Sequence, residues 1–522
     1  MIHAEQTNAV VFDDHRLSIE DVCDLASRRR AARLSDEPGF VSAIERGAEL
    51  VDRLLREDGV VYGVTTGYGD SCTVAVPGSL VEELPQKLYT FHGLGLGAPL
   101  EPEQARAVLA ARLTSLCKRM SGVSYGLLKQ IERLLVNDLL PVIPQEGSVG
   151  ASGDLTPLSY VAAVVCGERE VFDGGTRRPT SEALRAHGIA PIRLRPKEGL
   201  AVMNGTAVMT ALACLAFQRA AHLSRLATRV TALSVLAVAG NPHHFDESLF
   251  RAKPHPGQQR VAARLRLDLG GRVAGRNEHR LQDRYSLRCA PHVIGVLEDA
   301  LPFFRTVIEN ELNSANDNPL VDATEERVLH GGHFYGGHIA FAMDSLKALV
   351  ASVADLLDRQ VALLLDPKFN HGLPANLSGA PQQRRPINHG LKALSIATSA
   401  WAAEALKLTM PAASFSRSTE CHNQDKVSMG TIAARDCVRV LELSEQVAVA
   451  TLLAATQGLD LRLQEGSLSR EQLSPGITEM HRAVRAIVPE LVEDRALEGE
   501  LRALLEHLRK QRFELFSTGP LP

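Results

Sequence analysis

The 522-residue chain carries 57 Lys plus Arg against 61 Asp plus Glu, a net charge of −4. That balance excludes a nucleic-acid footprint or a polybasic membrane anchor, and Arg28-Arg29-Arg30 reads as a solvated helix face. Eight cysteines, at 23, 72, 117, 166, 214, 289, 421 and 437, form no Cys-x-x-Cys pair. They suit reduced, buried thiols in a cytoplasmic protein rather than a disulfide scaffold or zinc site.

The N-terminal Met1-Ile2-His3-Ala4-Glu5 lacks the basic and apolar regions of a signal peptide. Short strands are expected at 8–12 and 169–172, without a sheet core. Loops rich in Gly and Pro are expected at 62–70, 91–100, 141–157, 240–258, 313–319, 330–338, 366–388 and 414–426. Between them, 199–239, 339–366, 389–410 and 431–457 repeat apolar residues every three or four positions, the period of long helices. Residues 391–406 are apolar almost all round, which predicts neighbours on every side and hence subunit association.

Gly199 to Phe217 is uncharged and long enough to raise a membrane span. Asn204 and two threonines favour a buried bundle helix instead. The expected fold is all-α: a bundle of long helices with a smaller, loop-rich N-terminal portion carrying the active-site loops. The expected divisions are 1–198, 199–460 and a charged helical portion, 461–522.

Ala151-Ser152-Gly153, inside Gly147-Ser148-Val149-Gly150-Ala151-Ser152-Gly153-Asp154, can make a very tight turn. Attack of the Gly153 nitrogen on the Ala151 carbonyl, with loss of two waters, would leave Ser152 as a methylidene on an imidazolone ring. The plainer reading is a small-residue loop entering a helix with Asp154 as N-cap.

Tyr62 lies in the glycine loop Val61-Tyr62-Gly63-Val64-Thr65-Thr66-Gly67, which suits a lid carrying a phenolic base or a packed turn. Asn204-Gly205-Thr206 stands at a helix entrance, as cap or as oxyanion donor. Tyr285 and Arg288 share a helix face, where the guanidinium can grip a carboxylate or make an ordinary ion pair. His330, His333 and His338, like His243-His244, lack convincing metal spacing, so no metal is expected.

In this order the motifs resemble the aromatic amino acid ammonia-lyase and aminomutase family, which includes histidine, phenylalanine and tyrosine ammonia-lyases. The resemblance spans about residues 8 to 460. It implies a 4-methylideneimidazole-5-one (MIO) group built from Ala151, Ser152 and Gly153 without external cofactor. It also implies an all-helical homotetramer whose active sites combine three subunits. By resemblance Tyr62 removes the β-proton, and Asn204 sits beside the prosthetic ring. Tyr285 lies near the leaving amine, Arg288 holds the carboxylate with Gln282 close by, and Phe334 lies under the ring. Asn316 and Glu420 join the substrate-binding set.

The family's histidine enzymes carry glutamate where this chain has Gln424, which disfavours histidine. The specificity pair is Phe91-His92, where His92 suits a ring oxygen or is simply a satisfied pocket histidine. The expected reaction is therefore deamination of tyrosine, phenylalanine or a ring-substituted analogue to an arylacrylate. The alternatives are a 2,3-aminomutase, then a histidine ammonia-lyase or a non-catalytic helical assembly protein.

Overall fold

The computed structural model describes residues 9–57, 59–270 and 281–516; the N-terminal residues read above as lacking a leader lie outside them, apart from the strand that follows. Long helices dominate: Ala207–Ala237, Ala290–Leu312, Gly337–Leu365 and Gly430–Gln464. The last has 35 residues, about 50 Å at 1.5 Å per residue. The fold is all-α, as the apolar periodicity predicts. Among the described residues the sheets have only two or three short strands. Ala9–Phe12 pairs in parallel with Ala31–Leu34, and Glu170–Asp173 pairs with Leu139–Pro141 and Thr176–Pro179. No helix among the described residues is long and apolar enough to cross a membrane.

The chain divides into two compact units. One comprises Met1–Gln218, Phe304–Asp344 and Pro411–Arg435, the other Arg219–Phe303, Ser345–Met410 and Asp436–Pro522. In the first, helix Pro102–Leu116 is buried from Ala105 onward, Arg106 and Arg112 included. Pro at its first turn and a reciprocal Glu101–Gln104 capping box start it. Helix Tyr125–Val136 packs beside it and starts on Ser124, whose Oγ accepts from Leu127 N at 3.3 Å.

One expected helix is broken. The stretch 199–239 forms Glu198–Met203 and Ala207–Ala237, separated by Asn204-Gly205-Thr206. Asn204 turns extended, and Gly205 takes φ +142, a conformation closed to side-chain-bearing residues. Apolar periodicity continues through both helices and therefore hides the break.

In the second unit, Lys392–Lys407 buries Leu394, Thr398, Ala402 and Ala405, whereas Ile396 on another face is 66% exposed. Within one chain this helix is covered on a single stripe.

Candidate active site

The Ala151-Ser152-Gly153 turn is held in an unusual backbone geometry. Ser152 has φ +49 and Gly153 φ +74, and left-handed backbone at a serine persists only when its surroundings enforce it. The enforcing partner is the helix break. Gly205 N donates to the Ser152 carbonyl oxygen at 3.2 Å, and Asp154 N donates to the Gly205 carbonyl oxygen at 2.8 Å. A Cβ on Gly153 would overlap that Gly205 carbonyl. Asn204 Nδ2 donates to the same Ser152 carbonyl oxygen at 2.9 Å. Two convergent N–H donors on one carbonyl oxygen have the form of an oxyanion hole.

Asp154 does not cap the helix it precedes. Its side chain makes no cap bond to Leu155–Val165. Instead Oδ2 accepts from Val208 N and Met209 N, both at 3.0 Å, capping helix Ala207–Ala237. Oδ1 accepts from the hydroxyls of Thr431 and Ser148. Burial pushes this carboxyl up to about 6 despite those donors. The turn is thereby tied to two long helices.

Ala151 and Ser152 line a cavity of about 840 Å³ together with Tyr62, Tyr68, Phe91, His92, Asn204, Phe334, Glu420 and Gln424. The Tyr62 hydroxyl oxygen accepts from Gly69 N at 2.7 Å, and its ring meets His330 edge-on at 6.4 Å. Burial raises the Tyr62 pKa; the Gly69 N–H opposes this and the Glu420 charge adds to it. Burial also raises Tyr68. His92 is lowered to about 4 by burial and by Arg169, so it is neutral near pH 7. Its ring packs on Phe91 at 4.4 Å.

Glu420 Oε1 accepts from Asp70 N at 2.8 Å, linking its segment to the Tyr62 loop. Glu420, Cys421 and His422 all have positive φ, at 48, 51 and 66. The Thr419–Gln424 backbone pairing closes this strained turn. Gln424 Nε2 donates to Ser152 Oγ at 3.2 Å, while its Oε1 accepts from Thr419 Oγ1 at 2.9 Å. Both ends of this amide are thus engaged by the protein.

The structure brings most of the expected residues together, but not all. Gly153 does not line the cavity and packs against Gly205. Asn316 is buried, and its Oδ1 accepts from Arg112 Nη1 and Ser115 Oγ, each at 3.2 Å. Gln282, Tyr285 and Arg288 belong to the second unit and do not line this cavity. There Arg288 stacks on the Tyr285 ring at 4.7 Å in the short helix Tyr285–Arg288, and its Nε donates to the Asp283 carbonyl oxygen at 3.0 Å. Sequence reasoning passed over Arg112, although a charge within Ala-Val-Leu-Ala-Ala-Arg-Leu is a visible signal.

A model of the aromatic amino acid lyase family matches residues 17–486. The chain belongs to that family. It is a carbon–nitrogen lyase. A histidine ammonia-lyase of Geobacillus is 36% identical over 502 residues, 96% of each chain. A histidine ammonia-lyase of Gloeobacter violaceus is 37% identical, again over 96% of each. Among solved structures, a tyrosine aminomutase from Streptomyces globisporus superposes with TM-score 0.89 at 33% identity, covering 97% of both chains. A histidine ammonia-lyase from Trypanosoma cruzi reaches TM-score 0.87 at 31% identity, covering 97% of this chain and 94% of its own.

These relatives correct the expected substrate. The preference for tyrosine, phenylalanine or a substituted ring rested on Gln424 and Phe91-His92. Four relatives at 35–37% identity over nearly the whole length of the lyase are histidine ammonia-lyases. The physical reason lies partly in Gln424, whose amide holds Ser152 and Thr419 and is not a free selector of the substrate ring. Moreover, a carboxylate does line the cavity, four residues earlier at Glu420.

Proposed function

We infer that this lyase removes ammonia from L-histidine without oxidation, giving urocanate. The observation that carries the reading is the convergence of the Tyr62 phenol, the doubly held Ser152 carbonyl and the Glu420 carboxylate on one cavity, in a chain related end to end to histidine enzymes.

The left-handed Ser152, the side-chain-free Gly153 and the two donors on the Ser152 oxygen suit an MIO group formed from Ala151-Ser152-Gly153. Once formed, that group supplies a carbon electrophile that activates the amino acid for elimination. Asn204 Nδ2 and Gly205 N stabilise negative charge arriving at the Ser152 oxygen.

Tyr62 takes the β-proton as phenolate, and the Gly69 N–H stabilises the deprotonated oxygen. Glu420 accepts from the imidazole N–H, providing the carboxylate that position 424 lacks. Neutral His92, packed at a tilt of 37° against Phe91, forms a wall for the ring. Arg288, with Gln282 close by, holds the substrate carboxylate and Tyr285 lies near the leaving amine, in a cytoplasmic homotetramer whose sites combine residues of several copies. Asn316 acts from beneath the site rather than on substrate.

The test is mass-resolved product analysis after separate incubation with histidine, tyrosine and phenylalanine. Urocanate from histidine is the expected product. Conversion of only tyrosine or phenylalanine, a β-amino acid product, or no conversion at all would overturn the reading.

A further inference from the structure

Arg112 sits in the C-terminal half of helix Pro102–Leu116 with its side chain fully buried. Its hydrogen bonds reach neutral acceptors. Nη1 donates to the Asn204 carbonyl oxygen at 3.1 Å and to Asn316 Oδ1 at 3.2 Å, and Nη2 donates to Ser115 Oγ at 3.5 Å. Burial lowers the guanidinium only to about 10, with Asp317 and Asp154 opposing, so it remains a cation near neutral pH. A buried cation is costly, and buried arginines commonly recover that cost in a carboxylate fork. The partly exposed Arg219 makes such a fork with the buried Glu445, at 2.8 and 2.9 Å.

Arg112 is aimed instead at one peptide group. The Asn204–Gly205 peptide accepts from Arg112 at its carbonyl and donates through Gly205 N to the Ser152 carbonyl oxygen. Hydrogen bonds in series polarise one another, most strongly where the dielectric is low. Asn316 holds the arrangement, its Oδ1 also accepting from Thr206 N at 3.4 Å. A side chain on Gly205 would overlap both Arg112 and Asn316.

We propose that Arg112 is a positioning residue that polarises the Asn204–Gly205 peptide and so strengthens the Gly205 N–H as a donor to the Ser152 carbonyl oxygen. The proposal rests on the reading that Ala151-Ser152-Gly153 cyclises. In that step the Gly153 nitrogen bonds to the Ala151 carbonyl carbon. The Ala151 oxygen leaves as water with the protons of the Gly153 and Ser152 nitrogens. Ser152 then loses its Cα proton and its hydroxyl as a second water. Departure of the Cα proton places negative charge on the Ser152 carbonyl oxygen, the atom this relay serves.

The experiment compares full-length wild type with Arg112→Gln, Arg112→Lys and Asn316→Asp. It follows the mass deficit of two waters with time after synthesis, kcat and KM for histidine, and thermal unfolding. Arg112→Gln should cyclise more slowly and lose roughly 10-fold or more in kcat with KM little changed, and Arg112→Lys should recover part of both. Asn316→Asp, which sets a carboxylate against an intact guanidinium, should move the same way. Equal behaviour of the Gln and Lys variants, or wild-type behaviour of Asn316→Asp, would overturn the relay. If the Arg112 variants do not fold, Asn316→Asp decides; unfolding of all three marks the cluster as structural support and also overturns it. A wild type retaining both waters would sink the cyclisation reading itself, an outcome visible before any variant is made.

Discussion

The backbone N–H of Gly69 donates to the Tyr62 hydroxyl oxygen at 2.7 Å. This bond points a hydrogen at the oxygen that must carry negative charge if Tyr62 is to act as a base. The loop therefore offsets part of the burial that raises the phenol. Replacing Tyr62 by Phe should lower kcat about 10²–10⁴-fold, the usual cost of a lost general base. An unchanged rate in Tyr62→Phe would assign the proton transfer elsewhere.

Glu420 raises the Tyr62 pKa through its charge. A base works deprotonated, so kcat should climb with pH toward the raised phenol value. Removing the neighbouring charge lowers that value. Glu420→Gln should shift the rising limb to lower pH and raise KM for histidine, read from pH profiles of both parameters. A limb at the wild-type position would break the electrostatic link.

Ser152→Ala keeps the backbone positions of the turn but offers no hydroxyl to leave. The variant should keep at least the second of the two waters that wild type loses, show no turnover, and unfold at the wild-type temperature. Turnover in this variant would end the electrophile reading.

His92 is held at about 4 against an ordinary 6.5. Between those values the unfolded chain binds a proton that the folded chain refuses, so stability falls as pH falls from 6.5 to 4. Above 6.5 the group contributes no slope. His92→Gln should therefore lose stability less steeply across that window, measured by denaturant unfolding at several pH values. Parallel curves for the two proteins would contradict the depressed histidine.

Gly205→Ala would force a methyl group into the space of Arg112 and Asn316. Overpacking of this kind costs about 1–3 kcal/mol, and the φ of +142 adds strain. The melting temperature should drop, and the two-water mass deficit should form more slowly. A melting temperature and cyclisation rate like wild type would show that the helix break tolerates a side chain.

Much of the site is legible as chemistry along the chain. The Ala151-Ser152-Gly153 turn, the Tyr62 loop, Asn204 and Glu420 are recognisable because small, polar or acidic residues interrupt apolar helices. What was misread depends on partners distant in sequence. Asp154 reads as the cap of its own helix, yet caps one that begins more than fifty positions later. Gln424 reads as a substrate selector, yet spends both ends of its amide on Thr419 and Ser152.

The sequence by itself determined the helical class and the tight small-residue turn at Ala151-Ser152-Gly153, because apolar period and small-residue turns are local properties. Only the tertiary structure decided that Asn204 and Gly205 meet the Ser152 carbonyl across fifty residues, and that Arg112 lies behind them. Periodicity is the same whether or not a helix breaks. The target of a hydrogen bond is set by where the chain returns in space.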